Sequence, residues 1–197
     1  MLLDTYTRSR CPYPFVVAIF SIAALAAAFE TPAQSAEKYF TNTELIDQSG
    51  RKLRFYDDVL KGKVVVINPF HTTCKSTVPV MNGNIQKIGD AFPANLSKNL
   101  FFVSITVDAE TDTPSAINAY AKQVKAKPGW LFLTGTKDNV SIVLKKLGLY
   151  VEDKESHSTL LLIGNDSTGL WKKAFGLAKS DDLIPIVRSV LEDKEKR

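Results

Sequence analysis

The chain reads as an α/β sandwich: a central mixed sheet with helices on both faces and a β-hairpin on its N-terminal side. Three observations predict this. Two continuous apolar runs, residues 64–67 with Phe70 and residues 100–107, have the character of strands buried on both faces. Stretches with helix-capping residues and apolar positions at helical spacing alternate with these runs. Short alternating segments broken by turn residues stand near both ends, residues 39–55 and 159–175. With 197 residues, 45% of them hydrophobic and 23% charged, the composition is that of about one globular domain.

Taken in order, residues 39–55 (YFTNTELIDQSGRKLRF) are two alternating runs joined at Gln48, Ser49 and Gly50, a hairpin. Residues 57–63 form a polar, glycine-containing connection. The central strand begins at Val64, and the chain then passes Cys74 into a helix. Ser76 or Thr77 is placed to cap it, Pro79 suits its first turn, and Val80, Ile85 and Ile88 suggest an apolar face running to about Asp90. Residues 92–99, with Pro93 and Asn95, are a loop. After the second apolar run, Asp112 or Thr113 caps a helix whose first residue is Pro114, with Ile117, Tyr120, Ala121 and Val124 on one side. Pro128 and Gly129 stop that helix. Residues 130–133 are a short strand, and Lys137 or Asp138 opens a helix that ends at Gly148. Residues 149–158 are polar and irregular, 159–163 and 170–175 pair as a second hairpin, and Ser180 caps a last amphipathic helix through Leu191. Met81, Trp130 and Trp171 are expected in the core or at sheet edges.

Residues 1–36 stand apart. Arg8 and Arg10 precede the apolar run FVVAIFSIAALAAAF at 15–29, and small residues follow as far as Ala36. The run is shorter than the roughly 20 apolar residues that span a bilayer. It fits a secretory signal peptide cut between Ala28 and Ala36, with an uncleaved N-terminal membrane anchor as the alternative. The expected division is a signal peptide or anchor over 1–36 and one domain over 37–197, exported to the periplasm and either released there or held at the inner membrane. The formal charge is +4; removing the leader leaves 23 basic against 19 acidic residues, so it stays at +4. The two signs are interspersed, which excludes the basic stripe of a nucleic-acid binder.

Of two cysteines, Cys11 would leave with a cleaved leader, so the domain keeps Cys74 alone and forms no internal disulfide. In an oxidising compartment such a thiol points to a metal ligand, an intermolecular bond or a reactive group. Cys74 lies between a strand end and a helix start, where unpaired N–H groups and the helix dipole stabilise a thiolate, and Lys75 adds positive charge. A small buried hydrophobe is the plain alternative. Asp108, Glu110 and Asp112 resemble a hard-metal cluster, but their spacing also suits a helix cap with first-turn acids, and the capping reading is preferred.

A strand, cysteine loop and helix closed by a hairpin and a helix is the thioredoxin-like arrangement. Through FHTTCKSTVPVM, SITVDAETDTP, PGWLFLTG and SHSTLLLIGNDSTG, in that order, the chain resembles the SCO/SenC family of thioredoxin-like copper chaperones of cytochrome c oxidase assembly, over most of 39–191. The resemblance implies copper, as Cu(I) or Cu(II), held by a Cys-x-x-x-Cys pair and a distal histidine. The first cysteine falls on Cys74 and the histidine on His157. The second cysteine position falls on Val78, so this is an atypical member to which the family's dithiol chemistry does not carry over. His71, three residues before Cys74, stands near the lost ligand. Thiolate suits Cu(I) and imidazole suits either state, so Cys74, His157 and His71 would make a set of one sulfur and two nitrogens. A packed imidazole at a strand end is the other reading of His71. Sharing one ion requires sulfur–nitrogen separations of roughly 3 to 4 Å.

The leading expectation is a non-enzymatic, exported copper-binding metallochaperone whose partner is a respiratory oxidase subunit or another copper protein, with membrane contact through the N-terminal segment. Two alternatives belong to other classes. A single-cysteine thiol-redox protein would form a mixed disulfide with a thiol–disulfide partner or react with peroxide. A degenerate member would keep the fold and act through protein–protein contacts.

Overall fold

The computed structural model describes residues 38–194. The leader with Cys11, and the last three residues, lie outside the described residues. Along the chain come β1 (Glu44–Asp47), β2 (Lys52–Arg54), a π-helical turn (Phe55–Leu60), β3 (Val64–Phe70), α1 (Thr77–Ala91), β4 (Leu100–Thr106), α2 (Pro114–Gln123), β5 (Trp130–Thr134), α3 (Lys137–Leu147), a 3-10 turn (Lys154–Ser156), β6 (Leu160–Asn165), β7 (Leu170–Phe175) and α4 (Ser180–Leu191). Among the described residues no helix is long and apolar enough to cross a membrane.

The seven strands form one sheet in the order β2-β1-β5-β4-β3-β6-β7. The central strands β3, β4 and β5 are parallel, while β6 and β1 flank them antiparallel. Each face carries its own core, because side chains alternate across a strand. Val64, Val66 and Phe70 pack with Phe102, Trp130 and Ile163 beneath α1, α2 and α4. Val65 and Ile67 pack with Val103, Ile105 and Leu162 beneath α3 and the π-helical turn. All seven residues of β3 are buried, as its β-branched run predicts.

Four local readings are corrected. Residues 57–63 are not simply irregular: Phe55, Tyr56, Val59 and Leu60 are buried, and the chain coils to bury them. In α1 the face toward the sheet is set by Val78, Met81, Ile85 and Ile88, which recur at helical spacing, whereas Val80 is 50% exposed. Ser76 occupies the N-cap position of α1 but its side chain makes no capping bond. Ser180 is the first residue of α4 rather than its cap. Elsewhere the Thr113 hydroxyl accepts from the Ala116 N–H and Gly148 ends α3 at φ 68°, as expected; α3 opens at Lys137, and its cap is Thr136, whose hydroxyl accepts from the Asn139 N–H.

Topology brings the predicted site residues to one end of the sheet. Parallel β3 and β4 finish side by side, so the loops after Phe70 and Thr106 are neighbours. Strand β6 runs the other way, with Leu162 beside Ile67 and Asn165 beside Val64, so its start lies near the finish of β3. His157, just before β6, therefore reaches the Cys74 loop. Pairing of β3 with β6 stops at Ile67, so the missing N–H of Pro69 breaks no bond to β6 in this otherwise central strand.

Candidate metal centre

His71, Cys74 and His157 are all buried, and one ligand atom from each lies within 4.8 Å of the others. The Cys74 sulfur is 3.6 Å from His157 Nε2, inside the separation that a shared ion requires. The two imidazoles meet edge to face, with ring centroids 5.3 Å apart. His157 Nδ1 lies 3.1 Å from the Ser158 carbonyl, to which it donates, so Nε2 is the atom turned toward the sulfur. His71 Nδ1 lies 2.9 Å from the Thr73 hydroxyl, while its Nε2 is buried without a hydrogen-bond partner. A buried nitrogen left unmatched is costly in a folded protein and is explained when it faces an ion. The donor set, one thiol and two imidazoles, is the chemistry copper takes.

The thiol is built to ionise. Burial works against it, but the hydrogen bond to His157, the N–H groups of Val78 and Ser76 at the start of α1 and the Ser76 hydroxyl outweigh that, bringing its pKa from 9.0 to about 5. The Ser76 and Thr77 hydroxyls lie 3.6 and 3.8 Å from the sulfur. Val78, at the position of a second cysteine, is fully buried in the core, so it supplies a backbone N–H and no ligand atom. Cys74 also borders a cleft of about 850 Å³ lined by Lys75, Pro79, Asn82, Tyr120 and Glu155.

Two supporting contacts were not legible beforehand. Asp112 does not cap α2; it is fully buried and accepts from the Thr72 N–H at 3.2 Å, the Thr72 hydroxyl at 2.5 Å and the Thr106 hydroxyl at 2.6 Å. It thus ties the loop of His71 and Cys74 to the end of β4. Asp108 pairs with Lys154 at 2.7 Å, anchoring the 3-10 turn that precedes His157. Burial opposes ionisation of Asp108, but Lys154 and Thr111 hold its carboxyl below the usual carboxylate range. The third acid, Glu110, faces Lys137 at the surface, so the three carboxyls form no common cluster. Met81 and Trp130 are core residues, and the Trp130 N–H donates to Ser104, which in turn donates to Asn68.

A strand, a cysteine loop and a helix, with an incoming histidine from the closing hairpin, define a thioredoxin-like protein with a cysteine–histidine centre. The chain belongs to the SCO1/SenC family, whose profile matches residues 31–190. It is 31% identical over 107 residues to an SCO2-like protein of Rickettsia prowazekii, a match covering 54% of this chain and 50% of that one. The chain therefore spans about half the length of the curated relatives it matches. Its fold is similar to that of Arabidopsis thaliana ScoI with copper bound, with a TM-score of 0.64 and 20% identity, covering 76% of this chain and 96% of that one. It is similar also to BsSco, described as a member of the Sco family of cytochrome c oxidase assembly proteins with a disulfide switch; here the TM-score is 0.62 and the identity 22%, over 76% and 93% of the two chains.

Proposed function

We propose that this is an exported, non-enzymatic copper-handling protein that holds copper on Cys74, His157 and His71 and supports assembly of a respiratory oxidase. The observation that carries this reading is the buried trio itself, one low-pKa thiol and two imidazoles with a ligand atom of each within 4.8 Å of the others, and a His71 whose Nε2 has no hydrogen-bond partner. The thiolate favours Cu(I), and the imidazoles suit both copper states. The copper-bound Arabidopsis relative and the oxidase-assembly description of BsSco support the cargo and the partner class. The cleft beside Cys74 gives an oxidase subunit or another copper protein access to the sulfur. The apolar leader supports the periplasm as the compartment, with release or inner-membrane anchoring decided by whether residues 1–36 are retained.

Anaerobic titration with Cu(I) against a competing chelator tests this. Cys74→Ala is expected to weaken binding at least about 100-fold, or roughly 2.7 kcal/mol. His157→Ala and His71→Ala are each expected to weaken it by at least about tenfold. Equal, weak uptake by all four proteins overturns the reading.

A second reading is favoured by the thiol's pKa of about 5 and its place on an open cleft. In it the Cys74 thiolate attacks a partner's disulfide, forming a mixed disulfide and releasing the partner's other sulfur as a thiolate. Cys74 is the only cysteine among the described residues, so no neighbouring thiol resolves the adduct. Failure of Cys74 to react with a thiol reagent or with mild peroxide removes this reading.

A further inference from the structure

The sheet face away from α1 carries a second feature that the copper centre does not use. Phe40 packs on Trp171, with centroids 5.0 Å apart, and leaves Tyr39 beside it 53% exposed. Lys145 and Lys146 from the last turn of α3, and Lys173 from the edge strand β7, stand around these rings. Together they enclose a hollow of about 300 Å³. Lys146 Nζ lies 5.2 Å over the Tyr39 ring, and Lys145 Nζ lies 4.6 Å over Tyr150. Among the described residues none of the three lysines has a carboxylate partner and no acidic side chain lines the hollow.

Taken singly, the lysines have ordinary explanations. A helix dipole favours Lys145 and Lys146, and protection of an edge strand favours Lys173. Neither explains why all three converge, without an intervening acid among the described residues, on an exposed tyrosine and a half-buried tryptophan. Ammonium groups around amphipathic rings are what an anionic bilayer surface binds, the charges meeting lipid phosphates and the rings sitting at headgroup depth. Position along the chain points to the same occupant. The described domain begins at Lys38, and residues 30–37 alone separate it from the apolar run at 15–29, at most about 30 Å of extended backbone.

We propose that the face formed by Tyr39, Trp171, Lys145, Lys146 and Lys173 docks on an anionic phospholipid surface. Its orientation follows from register. Trp171 pairs with Gly164, and Gly164 with Val65 at the start of β3, whereas Cys74 lies beyond the strand's far end at Phe70. Docking therefore holds the Cys74 cleft away from the lipid, open to partners on the aqueous side. This proposal stands whether or not Cys74 binds copper.

The test uses the full chain with vesicles whose acyl chains carry bromine, made of phosphatidylcholine alone or mixed with phosphatidylglycerol, and reads tryptophan emission. Trp130 is buried in the other core and stays silent, so quenching reports Trp171, and Trp171→Phe should abolish it. Quenching is expected with phosphatidylglycerol and not without it. Each lysine near an anionic surface contributes about a fivefold gain in association, so K145E/K146E/K173E should raise the lipid concentration for half-quenching by about 100-fold. Far-UV circular dichroism of this variant, expected to match that of the unaltered chain, checks that it remains folded. Equal quenching in both vesicle types assigns the contact to the apolar leader and overturns the proposal. Loss of quenching on adding inorganic phosphate at an ionic strength where sodium chloride has no such effect assigns the patch to a small anion, and also overturns it.

Discussion

Cys74 shows how a single residue gains its chemistry from its surroundings. A thiol with a pKa of about 5 is ionised through the neutral range, and its preference for the folded state makes stability depend on pH. Its folded pKa is depressed, so its contribution is fully present above about pH 9, declines as pH falls, and is gone below about pH 5. In metal-free protein, the stability difference between wild type and Cys74→Ala should follow that window, measured by urea unfolding across pH. The alkylation rate of Cys74 should fall with a midpoint near 5 as the solution is acidified. Sequence alone suggested an activated thiol from the strand-to-helix position, and named His157 only through family resemblance. It could not supply the orphaned nitrogen of His71, because which imidazole atom is satisfied depends on Thr73 and on the packing around it. Val78 was legible as a missing ligand, and its burial explains how the helix tolerates the loss: the side chain joins the core while the backbone still serves the sulfur.

At the scale of elements, two loops are held by acids whose roles the linear pattern misassigned. DTP before an amphipathic run offers Asp112 or Thr113 as the helix cap, and Thr113 takes the role. The carboxyl is free to turn inward because the loops after β3 and β4 lie side by side, a nearness that only the parallel register creates. Asp112→Ala leaves the Thr72 N–H and two hydroxyls unmatched, and should lower stability by about 3 kcal/mol in urea unfolding. Asp112→Asn retains an acceptor and should lose less. Both should alter the alkylation rate of Cys74, since Thr72 lies two residues before it. The helices were legible nearly to their ends, since Pro114, Gly148 and the apolar periods carry local signals. The phase of α1 was not, because Val78 and Val80 look alike until the sheet chooses between them.

At the scale of the molecule, the α/β order and both hairpins could be read from two buried runs and their turn residues, whereas strand order could not, because partners are chosen by the whole sheet. Gly164 illustrates this. It reads as an ordinary strand glycine, yet a Cβ there would come within 2.6 Å of the Trp171 ring, which lies flat across the bare backbone. Gly164→Ala should cost about 1–3 kcal/mol and shift the Trp171 emission, as the ring is displaced from β6. The same long-range logic governs how the centre comes into being. Cys74 and His157 are 83 positions apart, and their meeting waits on the closing hairpin. Most of the sheet must be in place before the imidazole that tunes the sulfur reaches it. A chain ending before His157 would lack the side chain that does most to lower the thiol's pKa, so the full acidity of Cys74 belongs to the finished molecule.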